Sequence, residues 1–387
     1  MKIFMKMSKF YNSFLIPSKK WSRPRKADIL VYDYESLEAL MPSVNKYSHS
    51  VMAVRGESIN LYCAILSILT LDFWTTSAFS AYINKYISLV SPKVVITFID
   101  NDVRFYEISS NFPSIKTIFV KNGRRAISSD VFATLSHDKK YHVDYMLVFN
   151  KSVGELYSSF ISGTVIPIGS IKNNSVIISN NIEKNTVLFI SSLSTHSNSD
   201  KPLLTKSDGY KTDRVTIHAI DKLVVEFLDD WCAQNQKTLK ILGRSFGLES
   251  DEYFFYLNCL NKCKWSYIPP QEIYSSYHQL NMAEIVVFID STLGYEALSR
   301  RKKTAAFICR ANSLNLPSER FGWPAKKDET GPFWTHELDV AVFNKIMDFL
   351  NNIENTGWNS VLNEHYGGLM DFDQDNLELQ NLLKNLL

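Results

Sequence analysis

Cysteine is scarce in this chain and does not fall into pairs. The five cysteines, Cys63, Cys232, Cys259, Cys263 and Cys309, include no CxxC spacing, so neither a zinc ribbon nor a dithiol redox motif is written into it. Cys259 and Cys263 could share a helix face, but no convincing partner set for zinc accompanies them, and reduced thiols in a cytosolic protein are expected. Long hydrophobic runs are also missing. Leu61 to Leu71 is apolar yet contains Thr70 and stops at Asp72, too short to span a bilayer. No secretory signal is apparent, because lysines interrupt the apolar residues near the start and no small-residue cleavage pattern follows. A GxxxxGK[ST] loop, a glycine-rich turn after Tyr32 and an HExxH helix are all absent. P-loop, dinucleotide-binding and zincin chemistry are thereby disfavoured, and a metal-independent transferase suits what remains.

The 387 residues, 45% hydrophobic and 21% charged, describe a globular protein long enough for two domains. A net charge of only +2 makes no demand for nucleic acid. The charge is unevenly placed, however. Lys2, Lys6, Lys9, Lys19, Lys20, Arg23, Arg25 and Lys26 precede the first acidic residue, Asp28. Within this leader, residues 1–26, Ile3, Phe4, Met7, Phe10, Tyr11, Phe14 and Leu15 recur at helical spacing between lysines. Such a basic amphipathic helix can lie on an anionic membrane surface or dock on the protein's own body.

Apolar runs alternating with helical stretches predict a parallel α/β architecture in each half. In residues 27–180 the strands fall at 28–32, 50–54, 93–99, 115–120, 145–149 and 164–169, with helices at 75–90, 103–111 and 151–159. An Asn- and Ser-rich stretch, 172–185, marks the boundary. In residues 181–335 strands are expected at 186–190, 239–243, 265–268, 284–289 and 304–308, with a polar loop over 191–212. Helices at 337–350 and 377–387, within residues 336–387, can cross back and brace the first domain.

The most informative block is Phe288-Ile-Asp-Ser-Thr-Leu-Gly-Tyr-Glu-Ala-Leu-Ser-Arg300. A strand ending at Asp290, a cap at Ser291 or Thr292 and Gly294 for close backbone approach would let free amides hold a nucleotide phosphate. Glu296 would accept from a ribose, or satisfy its own helix terminus. Arg310 and Arg244 are candidate phosphate or carboxylate ligands, and His278 is a candidate donor-side residue. The loop Arg320-Phe-Gly-Trp-Pro324 to Gly331-Pro-Phe-Trp334 can stack a base or sugar, or tether the domains. In the first half, Asp100, Glu57 and Asp102 are candidate catalytic carboxylates. Asp100 equally suits a helix cap, and Glu57 a salt bridge with Arg55. Asn122 and Arg124, in a turn beyond a strand end, would bind the acceptor.

The Asp290–Arg300 block, the Phe321-Gly-Trp-Pro324 and Gly331-Pro-Phe-Trp334 loop, Ile96-Thr-Phe-Ile-Asp-Asn-Asp102, Lys121-Asn-Gly-Arg124 and Ile166-Pro-Ile-Gly-Ser170 together resemble bacterial surface-carbohydrate transferases of O-antigen and capsule biosynthesis. The resemblance covers roughly residues 50–335 and is stronger as a set than motif by motif. It implies a GT-B fold, a pair of Rossmann-type domains with an acceptor-facing N-terminal and a nucleotide-binding C-terminal half. It also implies a nucleotide-sugar donor, with CMP-Kdo preferred because Kdo transferases are among the similar proteins, and a glycan or lipid-linked oligosaccharide acceptor. A UDP-sugar or CDP-alcohol transferase and a noncatalytic carbohydrate-binding subunit are the alternatives. On this reading Asp290, Ser291, Thr292 and Glu296 are donor-side and Asp100 catalytic or acceptor-side, in a cytoplasmic protein held at the inner face of the inner membrane.

Overall fold

The computed structural model describes residues 18–125, 130–136, 138–179, 181–193, 204–205, 211–212, 214–315, 319–324, 327–365 and 367–387. The amphipathic leader up to residue 17 and most of the polar loop 191–212 lie outside them. Along the first half run β1 (Ser18–Lys20), β2 (Ile29–Tyr32), β3 (His49–Met52), β4 (Ser58–Asn60), β5 (Val94–Thr97), β6 (Lys116–Val120), β7 (Tyr141–Val148) and β8 (Ile161–Pro167). The second half carries β9 (Thr186–Ile190), β10 (Leu204–Thr205), β11 (Lys211–Thr212), β12 (Thr238–Leu242), β13 (Lys264–Ile268), β14 (Ile285–Phe288), β15 (Lys303–Phe307) and β16 (Trp334–Thr335).

Two parallel six-stranded sheets result, in the orders β3-β2-β5-β6-β7-β8 and β13-β12-β9-β14-β15-β16. The strands at their centres are apolar on both faces. Every residue of β2, β5, β9 and β14 is buried, as a sheet covered on both sides by helices requires. The second sheet has the doubly wound order of dinucleotide-binding folds, and its strand order reverses between β9 and β14. The first reverses between β2 and β5. β1 and β4 pair in parallel beside the first sheet, while β10 and β11 form a small antiparallel pair.

Helix starts follow local chemistry. The side chains of Asn60, Ser77, Asn150, Ser250 and Asp339 each accept from an amide of the first turn they precede, which satisfies donors a helix otherwise leaves open. The helix expected over 103–111 is instead a 3-10 turn, Val103–Glu107, capped by the Asp102 side chain, and a single α-turn, Ile108–Asn111. The C-terminal helix Leu377–Leu386 lies over the first sheet: Leu379 and Leu383 share one buried cluster with Ile29, Val31, Val94, Ile96, Ile118 and Val120. Among the described residues no helix is long and apolar enough to cross a membrane.

Candidate active site

Strand β14 is followed by Asp290 and Ser291, and helix Thr292–Ser299 begins at once. The Ser291 hydroxyl accepts from the Leu293 amide at 3.3 Å, so this cap forms as the sequence leads one to expect. Gly294 has a different use. A Cβ there would lie 2.2 Å from the Phe288 ring, so this glycine lets the helix pack onto β14.

Arg124 reaches this helix start from the first half. Its amide donates to the Thr292 hydroxyl at 2.8 Å, and its guanidinium to Asp290 at 2.9 Å and to the Glu319 carbonyl at 2.8 Å. Its Nε is buried and has no hydrogen-bond partner among the described residues. From the other side comes Arg310, whose Nη1 lies 3.7 Å from Asp290. Asp221 holds Arg310 through Nε at 3.0 Å and again through Nη2, and the Ser192 hydroxyl accepts from Nη2 at 2.9 Å. Burial pushes the Asp221 carboxyl up, and Arg310 only partly opposes it. Arg244 donates to the Ser192 carbonyl at 3.4 Å. Three arginines thus gather where β9 and β14 diverge. Asp290, Arg310 and Glu319 also line a cavity of about 100 Å³ floored by Ile217, Ile289, Ile308 and Leu314.

Across the crevice, the carboxyl edge of the first sheet carries a buried ionic network. Asp100, fully buried, pairs with Lys121 at 2.7 Å and with Arg125. Lys121 also pairs with Asp130 at 2.7 Å and donates to the Tyr157 hydroxyl at 2.7 Å, which in turn donates to Asp130 at 2.8 Å. Burial would raise the Asp100 carboxyl, but Lys121 and then Arg125 outweigh it and hold the group below its ordinary value. A carboxylate so enclosed is a poor proton acceptor for a hydroxyl outside. In this geometry Asp100 fixes Arg125, which adjoins Arg124 in the same turn.

Other expected residues are placed as follows. Asp102 caps Arg104 at 3.1 Å and accepts the Tyr32 hydroxyl at 2.9 Å, so its carboxylate is occupied. Glu57 is exposed and accepts from the Arg55 amide at 3.2 Å. The expected salt bridge does not form, because the Arg55 guanidinium pairs with Asp33 and Glu35. Glu296 is buried and accepts the Tyr277 hydroxyl at 3.1 Å. Burial raises its carboxyl, against the Ser170 and Tyr277 hydroxyls. His278 is exposed on helix Ser275–Met282, and Asn122 is half-buried in the turn before Arg124. In the aromatic loop, Phe321, Trp323, Phe333 and Trp334 are buried, and Phe321 stacks between Tyr295 and Trp334. These four side chains of the loop are spent in core packing.

Sequence reading passed over Lys121, Asp130, Tyr157, Asp221 and Glu319. Only Lys121 carried a signal, a lysine directly after four buried strand residues.

Residues 118–387 match the model of a family described as "putative O-antigen biosynthesis protein". The chain belongs to this family. No curated protein matches the sequence. Among solved structures, the chain is similar to UDP-GlcNAc 2-epimerase from Methanocaldococcus jannaschii in complex with UDP-GlcNAc and UDP, at 10% identity and a TM-score of 0.50 over 92% of this chain and 98% of that one. It is also similar to the S. aureus MnaA–UDP co-structure, at 11% identity and a TM-score of 0.52 over 93% and 98%. At such identities the likeness speaks of fold, and the fold is the GT-B pairing of two Rossmann-type sheets.

Proposed function

We propose that this protein is a nucleotide-sugar glycosyltransferase of bacterial surface-polysaccharide synthesis. The observation that carries the reading is the convergence of Arg124, Arg244 and Arg310 at the point where the second sheet's strand order reverses, beside the first turn of helix Thr292–Ser299. Ligands of open α/β sheets bind at such a point, and guanidinium groups beside a helix start suit a phosphate. Because Arg124 comes from the first half, donor capture and closure of the crevice are one event on this reading.

In the transfer step the bond from the anomeric carbon to the donor's phosphate oxygen breaks and a bond to the acceptor oxygen forms. Arg124 and Arg310 stabilise the charge gathering on the departing phosphate once it displaces Asp290 and Glu319 from them. The acceptor proton passes to a base. With Asp100 and Asp102 both engaged, Glu57, exposed at the carboxyl edge of the first sheet, is the proposed base.

Membership in an O-antigen family supports a sugar acceptor. For the donor, CMP-Kdo offers a phosphate and a separate carboxylate for the three arginines, and the resemblance to Kdo transferases supports it. A UDP-sugar offers two adjoining phosphates, and the UDP in the two similar structures supports that choice. The deciding experiment incubates purified protein with CMP-Kdo or UDP-sugars, with and without a lipid-linked glycan, and follows free nucleotide. Acceptor-dependent CMP release is expected from CMP-Kdo. Acceptor-dependent UDP release would replace the donor but keep the transferase. Conversion of a UDP-sugar to its isomer without acceptor would overturn the proposal.

A further inference from the structure

The connection from the carboxyl end of β3 to the amino end of β5 runs through β4 and helices Leu61–Ile68, Leu71–Thr75 and Ala78–Val90. Its first and middle parts leave unusually large apolar side chains in solvent: Ile65 is 53% exposed, Leu69 78% and Trp74 71%. Beside them, β1 pairs with β4 in a register that sets Lys20 against Asn60, and the Asn60 side chain donates to the Ser22 carbonyl at 2.9 Å. That contact fixes Trp21, 67% exposed, next to the start of the first of these helices. Lys19, Lys20, Arg23, Arg25 and Lys26 surround Trp21 and are all exposed, and no acidic residue occurs between Ser18 and Ala27.

We infer that this face is a docking surface for an anionic phospholipid bilayer. Large aliphatic side chains and two tryptophans flanked by a cationic strip match the two layers of such a surface: the indoles and aliphatics enter the interface while lysine and arginine meet the headgroup phosphates. A protein partner would more often meet mixed charge around an apolar centre. Position gives the surface a use. The Arg104 guanidinium, just beyond the carboxyl end of β5, lies 4.4 Å over the ring of Phe79 in the first turn of Ala78–Val90. Trp74, five residues earlier, therefore stands at the rim of the edge that faces the crevice. Docked in this way, the first half presents that edge to a lipid-linked acceptor, a benefit that rests on the proposed transferase reading although the docking itself does not.

The test reads vesicle binding without turnover, so that it fails or succeeds independently of the reaction. Full-length protein is sedimented with phosphatidylglycerol–phosphatidylcholine vesicles and with phosphatidylcholine vesicles. Binding only to the first, weakened by salt, is expected. The double variant Leu69→Ser, Trp74→Ser and the triple variant Lys19→Glu, Lys20→Glu, Arg23→Glu should each bind at least ten-fold less while keeping the parent's melting temperature. The inference is overturned if the parent ignores anionic vesicles, or if both variants bind as the parent does, since the first seventeen residues alone would then account for attachment. It is equally overturned if light scattering shows a dimer that Leu69→Ser, Trp74→Ser dissolves, which would assign the face to a second copy.

Discussion

A buried carboxylate at a strand end can serve as a base or as a brace, and Asp100 shows how the distinction is made. Its type and position at the end of β5 were readable, but its partners, Lys121 and Arg125, come from the end of β6, and no spacing rule joins the two strands. Asp100→Ala would leave Lys121 and Arg125 without the charge they share, and removal of one member of a buried ion network costs about 3–5 kcal/mol. Urea unfolding should register that loss. Asp102→Ala, which removes a cap, should cost about 0.5–2 kcal/mol. A folded, fully stable but inactive Asp100→Ala protein would return the residue to the catalytic role. A second buried charge has a pH signature. Burial, with Arg300 nearby, pulls the Lys302 ammonium down from 10.5 to about 8. The unfolded chain therefore binds more protons than the native one between those values, and native stability gains with pH across that window, while below about 8 both states carry the charge and this group adds no pH dependence. Buried thiols oppose this, Cys259 being pushed up to about 11. The measurement is accordingly a difference: the stability of the parent minus that of Lys302→Met should be flat below pH 8 and rise in the parent's favour from pH 8 toward 10.

At the scale of elements, strands buried on both faces announced themselves as continuous apolar runs, which is why both sheets were legible with small errors at the ends. β16 was not, because its two residues, Trp334 and Thr335, sit inside an aromatic loop and gain strand character only by pairing with β15. Helix Ser36–Val44 contains Pro42, a residue that reads as a breaker. The β14–helix unit was recognised, and Gly294 in it as a place of close approach, but that the Phe288 ring is what approaches was not legible, since sequence shows a missing side chain without showing what lies opposite. Gly294→Ala tests the packing account. Overpacking against Phe288 should cost about 1–3 kcal/mol, and Phe288→Leu in the same chain should recover part of it. A neutral Gly294→Ala, combined with weaker nucleotide binding, would favour ligand approach instead.

The halves are joined at several places, among them Arg300, which donates to the Asn173, Val176 and Ile177 carbonyls. Arg124 crosses at the crevice, where its guanidinium meets Asp290 and Glu319. The C-terminal helix crosses at the back, and its sequence gave periodicity without an address: Leu379 and Leu383 recur on one face, but only the fold shows that this face covers the first sheet. The same helix is tied on at its start, where Asn376 donates to the Ile171 carbonyl at 3.0 Å and accepts from Asn174 at 3.0 Å, both residues lying just beyond β8. The first sheet consequently lacks part of its cover until the chain's last residues are in place. Leu383→Ala should cost about 2–5 kcal/mol, the range for a fully buried leucine in a core that cannot collapse around the gap. The loss should appear first as faster hydrogen exchange in β2, β5 and β6, although the substituted residue is more than 250 positions away from β6 in sequence. Exchange confined to the C-terminal helix, with those strands as protected as in the parent, would mean that the helix rests on the first half without supporting it.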